Sequence, residues 1–181
     1  MWNRTFLMIG LFALTCSLPA EGAKKRMKKE TVAAPVMPYG VQPPQNWQYI
    51  TDPSQLPTKV LCIFIGHSDG QFAPSLNIAR EPTKLTLAEY TALAKRYHET
   101  QESSIVQNMG CIETCTGTAE LLQIDQQTSF GPVRFLQGAI VREGTAYVIT
   151  ATCLQKDYAH FYPEFLTAIR TFNINNPEVP Q

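Results

Sequence analysis

The chain has 181 residues, which is enough for one globular domain of ordinary size but not for two. Hydrophobic residues make up 44% of the chain and charged residues 17%, which argues against an intrinsically disordered protein. The net charge is zero, but the residues from 31 onward carry 9 Lys and Arg against 13 Asp and Glu, a net charge of −4. This acidic balance argues against a nucleic-acid-binding protein.

The N-terminus has the three-part layout of a secretory signal. Arg4 supplies one positive charge, Thr5–Leu14 is an apolar run, and small residues and a proline follow. The apolar run would rise about 15 Å as a helix, half the hydrocarbon core of a bilayer, so it predicts a signal peptide rather than a membrane span. Residues 1–20 are therefore predicted to be removed after Ala20. Alternatively, Cys16 carries lipid as in a bacterial lipoprotein, although Thr15 is a poor match to the small residue expected before it.

The composition of residues 21–45 predicts a basic and proline-rich tether. Four prolines between Pro35 and Pro44 favour extended, polyproline-like backbone. The basic run is either a solvated leader or a contact with anionic lipid headgroups, at about 1 kcal/mol per charge. Membrane tethering would use Cys16 or this run, which consists of Lys24, Lys25, Arg26, Lys28 and Lys29.

The first predicted elements of the domain are two strands and a helix. Lys59–Gly66 is apolar on both faces, as in a strand covered on both sides, and Ser75–Arg80 is more polar. Thr86 and Glu89 form a capping-box pattern that starts a helix reaching about Glu102. Its apolar stripe consists of Tyr90, Leu93, Ala94 and Tyr97.

Four further strands and a second helix complete the predicted domain. The helix covers about Tyr158 to Phe172, with Pro163 predicted in its first turn. The order β-β-α-β-β-β-β-α predicts an α+β fold, a central antiparallel sheet sandwiched by helices, over residues 46–175, with a tail at 176–181. The four strands are Ser104–Glu113, Thr118–Asp125, Pro132–Arg142 and Thr145–Cys153.

The segment Gly66–Gly70 matches G-x-S-x-G, the nucleophile elbow of serine hydrolases. Asp125 and His160 follow in the chain order that a Ser68 triad would need. An elbow leads directly into a helix, however, whereas the residues after Gly70 lead into a predicted strand. A hairpin loop is the other interpretation, and a serine hydrolase is kept as an alternative.

The histidines and cysteines do not have the spacing of a metal or redox site. His67, His98 and His160 are far apart in the sequence, and His98 is predicted to be solvated. Cys62 and Cys153 fall in interior strands, where cysteine behaves as a small hydrophobic residue. No catalytic residue, metal or cofactor is predicted.

The sequence leaves open whether Cys111 and Cys115 form a disulfide. In a continuous strand their Cα atoms would be about 13 Å apart, beyond the roughly 7 Å that a disulfide allows. They can bond only if the strand ends near Glu113 and the chain turns through Thr114 to Gly117. The sequence therefore predicts either a staple across a turn or no bond between them.

Four aromatic residues lie in or beside predicted loops and are candidates for contacts with a partner. Exposed aromatic side chains on loops favour binding, whereas the same side chains can also close the ends of the sandwich. The four residues are Trp47, Tyr49, Phe72 and Phe130.

The order of the elements and several short sequence motifs within them resemble those of the PsbP-like superfamily, which includes DcrB-type periplasmic proteins. The matching segments are Pro44–Trp47, Leu85–Tyr90, Gly138–Thr150 and Phe165–Phe172. The resemblance implies that the chain has no catalytic residues in common with a family of enzymes. It also implies that the protein acts by binding other proteins or by supporting membrane complexes. We therefore expect an exported non-enzymatic binding or scaffold protein of the bacterial periplasm or cell envelope, with an envelope protein as its partner. A serine hydrolase and a lipid-anchored small-ligand carrier are the alternatives.

Overall fold

A computed structural model describes residues 40–174, except 69 and 71. These residues form a seven-stranded antiparallel sheet with two α-helices. The predicted signal peptide, Cys16, the basic run and the tail lie outside the described residues. The strands are β1 (Gln48–Ile50), β2 (Val60–Ile65), β3 (Ser75–Pro82), β4 (Ser104–Thr114), β5 (Gly117–Thr128), β6 (Gly131–Arg142) and β7 (Thr145–Leu154), and the helices are α1 (Leu87–Glu99) and α2 (Tyr158–Thr171). The order of the strands in the sheet is β1-β2-β3-β7-β6-β5-β4.

The two helices cover opposite faces of the sheet, so the predicted sandwich is confirmed. Adjacent residues of β7 show this directly, because successive side chains of a strand point to opposite faces. Val148 packs in a cluster with Tyr90 of α1, whereas Ile149 packs in a cluster with Phe165 and Ile169 of α2. The central strands are apolar on both faces because both faces are buried.

Helix α1 begins as the capping box predicts. The Thr86 hydroxyl accepts the Glu89 backbone N–H at 3.3 Å, and the Glu89 carboxylate accepts the Thr86 backbone N–H at 2.8 Å. These contacts satisfy two donors that the first turn of a helix cannot satisfy itself. Leu85 packs beside Tyr90, which completes the hydrophobic staple. The helix ends at Glu99, three residues before the predicted end.

The prediction that His98 is solvated is wrong. His98 lies on the last turn of α1, is only 7% exposed and shares a side-chain hydrogen bond with Gln137 of β6. The apolar stripe alone did not reveal this contact, because the partner is a polar residue on a distant strand. Burial lowers the pKa of His98 below its ordinary value of 6.5, and the hydrogen bond to Gln137 partly opposes that effect.

We expect the free energy of unfolding to fall as the pH falls below about 6.5. The pKa of His98 is lower in the folded state, so the unfolded chain binds a proton first and gains stability relative to the folded one. Urea unfolding at about pH 7.5 and about pH 5 measures how much the free energy of unfolding falls between the two pH values. This fall should be smaller in His98→Asn than in the original chain. An equal loss in both proteins would assign the pH dependence to other groups.

A buried carboxylate lies where β3 meets α1. The Glu81 side chain is 2% exposed, accepts the Tyr90 hydroxyl proton at 2.7 Å and accepts an N–H of the Lys59 ammonium at 2.9 Å. Burial and the neighbouring Glu81 raise the pKa of Tyr90, which therefore stays protonated as a donor. The three side chains tie the turn before β2, strand β3 and helix α1 together.

A β-bulge in the edge strand β4 changes which face its side chains reach. The register with β5 shifts between Asn108 and Gly110, Gly110 has a φ of +82°, and the Asn108 side-chain oxygen accepts the Gly110 N–H at 2.7 Å. Val106 packs on the α1 side of the sheet, whereas Ile112 packs on the α2 side. Without the extra residue, these two side chains would share one face.

The cysteine staple across a turn does not form. Strand β4 runs through Thr114, which pairs with Gly117, so only Cys115 and Thr116 form the turn. Cys111 therefore lies within the continuous strand, as the no-bond alternative required, and the four described cysteines are unbonded.

The predicted position of Pro163 in the first turn is also wrong. A short 3-10 turn at Gln155–Asp157 runs into α2 at Tyr158, which places Pro163 in the second turn. The proline has no N–H to donate to the carbonyl of Ala159, one turn earlier. The helix tolerates this loss because it falls near the N-terminal end.

Candidate binding surface at the loop end

Three connections meet at one end of the sheet and form what we call the loop-end surface. They are the loop between β2 and β3, the turn between β5 and β6, and the 3-10 turn that leads into α2. They surround an open cavity of about 490 Å³. The residues that line it are Ser68, Gly70, Phe72, Ser129, Phe130, Leu154, Lys156 and Asp157.

Two of the predicted partner-contact residues come together at this surface. The rings of Phe72 and Phe130 lie 5.8 Å apart, although they come from different loops. A second cavity of about 490 Å³ lies beside Phe130 and is lined also by Pro132, Leu154 and Lys156. Phe130 therefore lines both depressions, each of which is large enough for an apolar side chain.

The turn that carries Phe130 is held by its own hydrogen bonds. The Thr128 hydroxyl accepts the Phe130 N–H at 3.1 Å and donates to the Gly131 carbonyl at 2.8 Å. Gly131 has a φ of +107°, which favours glycine. The Phe130 ring is thus presented on a fixed turn, which lowers the entropy cost of binding.

The Ser68 motif does not form a nucleophile elbow. The Ser68 hydroxyl donates to the Phe72 carbonyl at 2.8 Å and accepts the Gly70 N–H at 3.0 Å, so it closes a loop between two strands. Asp125 accepts two hydrogen bonds from Arg134, one of them at 2.7 Å, and His160 packs its ring on Phe161. The triad interpretation of Ser68, Asp125 and His160 is therefore wrong.

The first glycine of this motif has a packing role. A Cβ atom on Gly66 would lie 2.8 Å from the Trp47 indole and 2.7 Å from the Pro74 ring. Trp47 in turn makes edge contacts with Phe161 and Phe165 of α2, at centroid distances of 6.0 and 6.2 Å. Trp47 thus fills the space between the sheet and α2. This is the packing role that the sequence analysis gave as the alternative to contact with a partner.

Tyr49, the fourth candidate, is not among the residues that line the loop-end surface. It is 43% exposed on β1, the short strand at one edge of the sheet. The sequence could not show that Phe72 and Phe130 meet, because 57 residues separate them and their approach depends on the strand order. Lys156 and Leu154 had no signal in the sequence that marked them as neighbours of these rings.

Two of the described cysteines are buried, and the described residues hold no cluster of metal-ligating side chains. Burial raises the pKa of both the Cys62 and the Cys153 thiol to about 12, which keeps these thiols protonated. Within residues 40–174, apart from 69 and 71, no cluster of three His, Cys, Asp or Glu side chains is placed to bind a metal ion. No helix in that part of the chain is long and apolar enough to span a membrane.

Comparisons with known proteins identify the fold. No family model and no curated protein matches the chain. Its structure is similar to that of LpqN from Mycobacterium tuberculosis, with a TM-score of 0.54, 13% identity, and coverage of 75% of this chain and 83% of LpqN. The PsbP protein CyanoP from Synechocystis sp. PCC 6803 gives a TM-score of 0.54 and 13% identity over 75% of this chain and 86% of that one.

A protein of unknown function, PA94 from Pseudomonas aeruginosa, is also similar. Its TM-score is 0.50 with 21% identity, over 66% of this chain and 81% of that chain. The chain therefore has the PsbP-like α+β fold that the sequence resemblance implied.

Proposed function

We propose that this PsbP-like domain is an exported, non-enzymatic binding or scaffold protein of the bacterial periplasm or cell envelope. The observation that carries the proposal is the pairing of Phe72 and Phe130 beside two open depressions. Export is supported by the signal-like sequence of Arg4 and Thr5–Leu14, and LpqN, a protein of the same fold, is described as involved in cell envelope biogenesis. Mass spectrometry of the native protein should find Glu21 at its N-terminus, or lipid on Cys16.

The loop-end surface has the chemistry of a protein contact site. Aromatic side chains supply much of the binding energy of interfaces when they pack into pockets, and a polar rim excludes water around them. Phe72 and Phe130 provide the apolar centre, and Lys156 and Asp157 provide a rim of both charges. The partner would insert apolar side chains into the two depressions that Phe130 lines.

A small-ligand carrier is less well supported by the described residues. Such a carrier would bind its ligand in a closed apolar pocket between the sheet and a helix. The α2 side of the sheet is instead filled by fully buried rings of Phe64, Phe165 and Phe172. The two depressions of the loop-end surface are open, and they lie outside this packed layer.

Site-specific photo-cross-linking in cells tests the proposed contact. We expect a benzophenone side chain at position 130 of the full-length chain to give a discrete cross-linked product with one envelope protein. The same group at Tyr49, which is exposed on the far edge of the sheet, is the matched control and should not give that product. Phe72→Ala should weaken the cross-link from position 130, because it removes half of the aromatic pair.

Two outcomes would contradict the proposal. One is the same product from positions 130 and 49, which would indicate contact by proximity alone. The other is a cross-link from position 130 that Phe72→Ala leaves unchanged, provided that circular dichroism shows the variant to be folded.

A further inference from the structure

The loop between β2 and β3 contains the G-x-S-x-G motif, and its base is held by a single backbone hydrogen bond between Gly66 and Pro74. The Gly66 N–H donates to the Pro74 carbonyl at 2.8 Å. Pro74 has no N–H and cannot return a hydrogen bond to Gly66. The ladder between the two strands is therefore incomplete at this point, and the residues beyond it depend on other contacts.

The Ser68 hydroxyl supplies such a contact. It accepts the Gly70 N–H at 3.0 Å and donates to the Phe72 carbonyl at 2.8 Å. Because one oxygen atom makes both hydrogen bonds, it restrains the Phe72 backbone relative to the residues that leave β2. The net free energy of such neutral hydrogen bonds is modest, but these act on the residue that carries one of the two paired rings.

The other ring of the pair is held in a similar way. The Thr128 hydroxyl accepts the Phe130 N–H and donates to the Gly131 carbonyl. The rings of Phe72 and Phe130 lie 5.8 Å apart with an angle of 55° between their planes. Each ring is thus carried by a loop whose backbone is restrained by one hydroxyl group.

We propose that Ser68 is a positioning residue of the loop-end surface, whose hydroxyl holds Phe72 where its ring packs on Phe130. The inference rests on the proposed function, because it explains how the surface is arranged before a partner binds. A loop that already has its bound conformation loses less conformational entropy on binding. The serine of the motif therefore acts through its two hydrogen bonds to the backbone and not as a nucleophile.

Fluorine NMR of the purified full-length chain tests this role without a partner. With 4-fluorophenylalanine at position 130, Phe72→Ala gives the resonance of the unpaired ring. Ser68→Ala should move the resonance towards that position, whereas Ser68→Thr retains the hydroxyl and should leave it near the original one. Ser54→Ala is the matched control and should not move it. The Ser54 hydroxyl also bonds within its own loop, to Asp52 at 2.8 Å, but at the opposite end of β2.

Photo-cross-linking in cells connects the positioning role to the proposed contact. Ser68→Ala should lower the yield of the cross-linked product from position 130, and Ser54→Ala should not. If the fluorine resonance responds as expected but position 130 gives no product, the partner contact fails and the positioning role of Ser68 stands. The two measurements therefore separate this inference from the proposed function.

Four results would overturn the inference. A folded Ser68→Ala protein with the original fluorine resonance would show that Phe72 needs no such restraint. An equal shift in Ser68→Thr would show that the hydroxyl is not the cause. A resonance that Phe72→Ala leaves unchanged would show that the rings are not paired in solution. Loss of the circular dichroism of the folded state in Ser68→Ala would assign Ser68 to folding and not to this surface.

Discussion

Lys59→Met should lower the free energy of unfolding by about 3 kcal/mol, because it leaves the buried carboxylate of Glu81 without its cation. The Glu81 side chain is 2% exposed and cannot turn to water, whereas the Lys59 side chain is 31% exposed. Tyr90 would be its remaining partner among the contacts described above. Methionine keeps most of the length of the lysine stem, so the substitution tests the charge more than the packing. Urea unfolding measures the loss.

Two further variants separate the charge effect from other causes. Adding Glu81→Gln to Lys59→Met should restore much of the lost stability, because a neutral amide needs no cation and can still accept the Tyr90 hydroxyl proton. Lys95→Met breaks an exposed ion pair with Glu99 and should cost less than about 0.5 kcal/mol. A Lys59→Met effect as small as that of Lys95→Met would show that the Glu81 carboxylate needs no charge partner.

Trp47→Ala should also cost about 3 kcal/mol, because it removes an indole packed between Gly66 and the aromatic rings of α2. Tyr49→Ala, two residues away on the exposed edge strand, should change stability by less than about 0.5 kcal/mol. Thermal and urea unfolding of the two variants give the comparison. If Trp47→Ala kept full stability and lost the cross-link from position 130, Trp47 would be a partner contact instead of a packing residue.

Local signals in the sequence were sufficient for most of the fold. The capping box at Thr86 and Glu89 and the apolar stripe of α1 each depend on residues close together in the chain. Tyr90 and Ala94 are buried, as their spacing predicts. These elements could be recognised because their stabilising contacts lie within one or two turns of helix or one hairpin.

Features that depend on distant contacts could not be recognised in the same way. Strand β1 has three residues and exists because β2 offers it an edge, so no periodicity marks it. His98 looked like a surface residue because the sequence does not place Gln137 beside it. The candidate surface was predicted in part: Phe72 and Phe130 were identified as separate loop aromatics, but their meeting depends on the strand order.

The strand order also has a consequence for how the chain folds. Strands β4 to β7 follow one another as hairpins and pair through local contacts. Strand β3 instead pairs with β7, which is distant in the sequence, with Ser75 opposite Thr152 and Pro82 opposite Thr145. Closing that long segment has an entropy cost that the hairpins avoid, and topologies rich in such pairings fold slowly. We therefore expect the β4–β7 meander to form the folding nucleus and the β1–β3 unit to dock late. Mutations in β2 or β3 should then speed unfolding more than they slow folding.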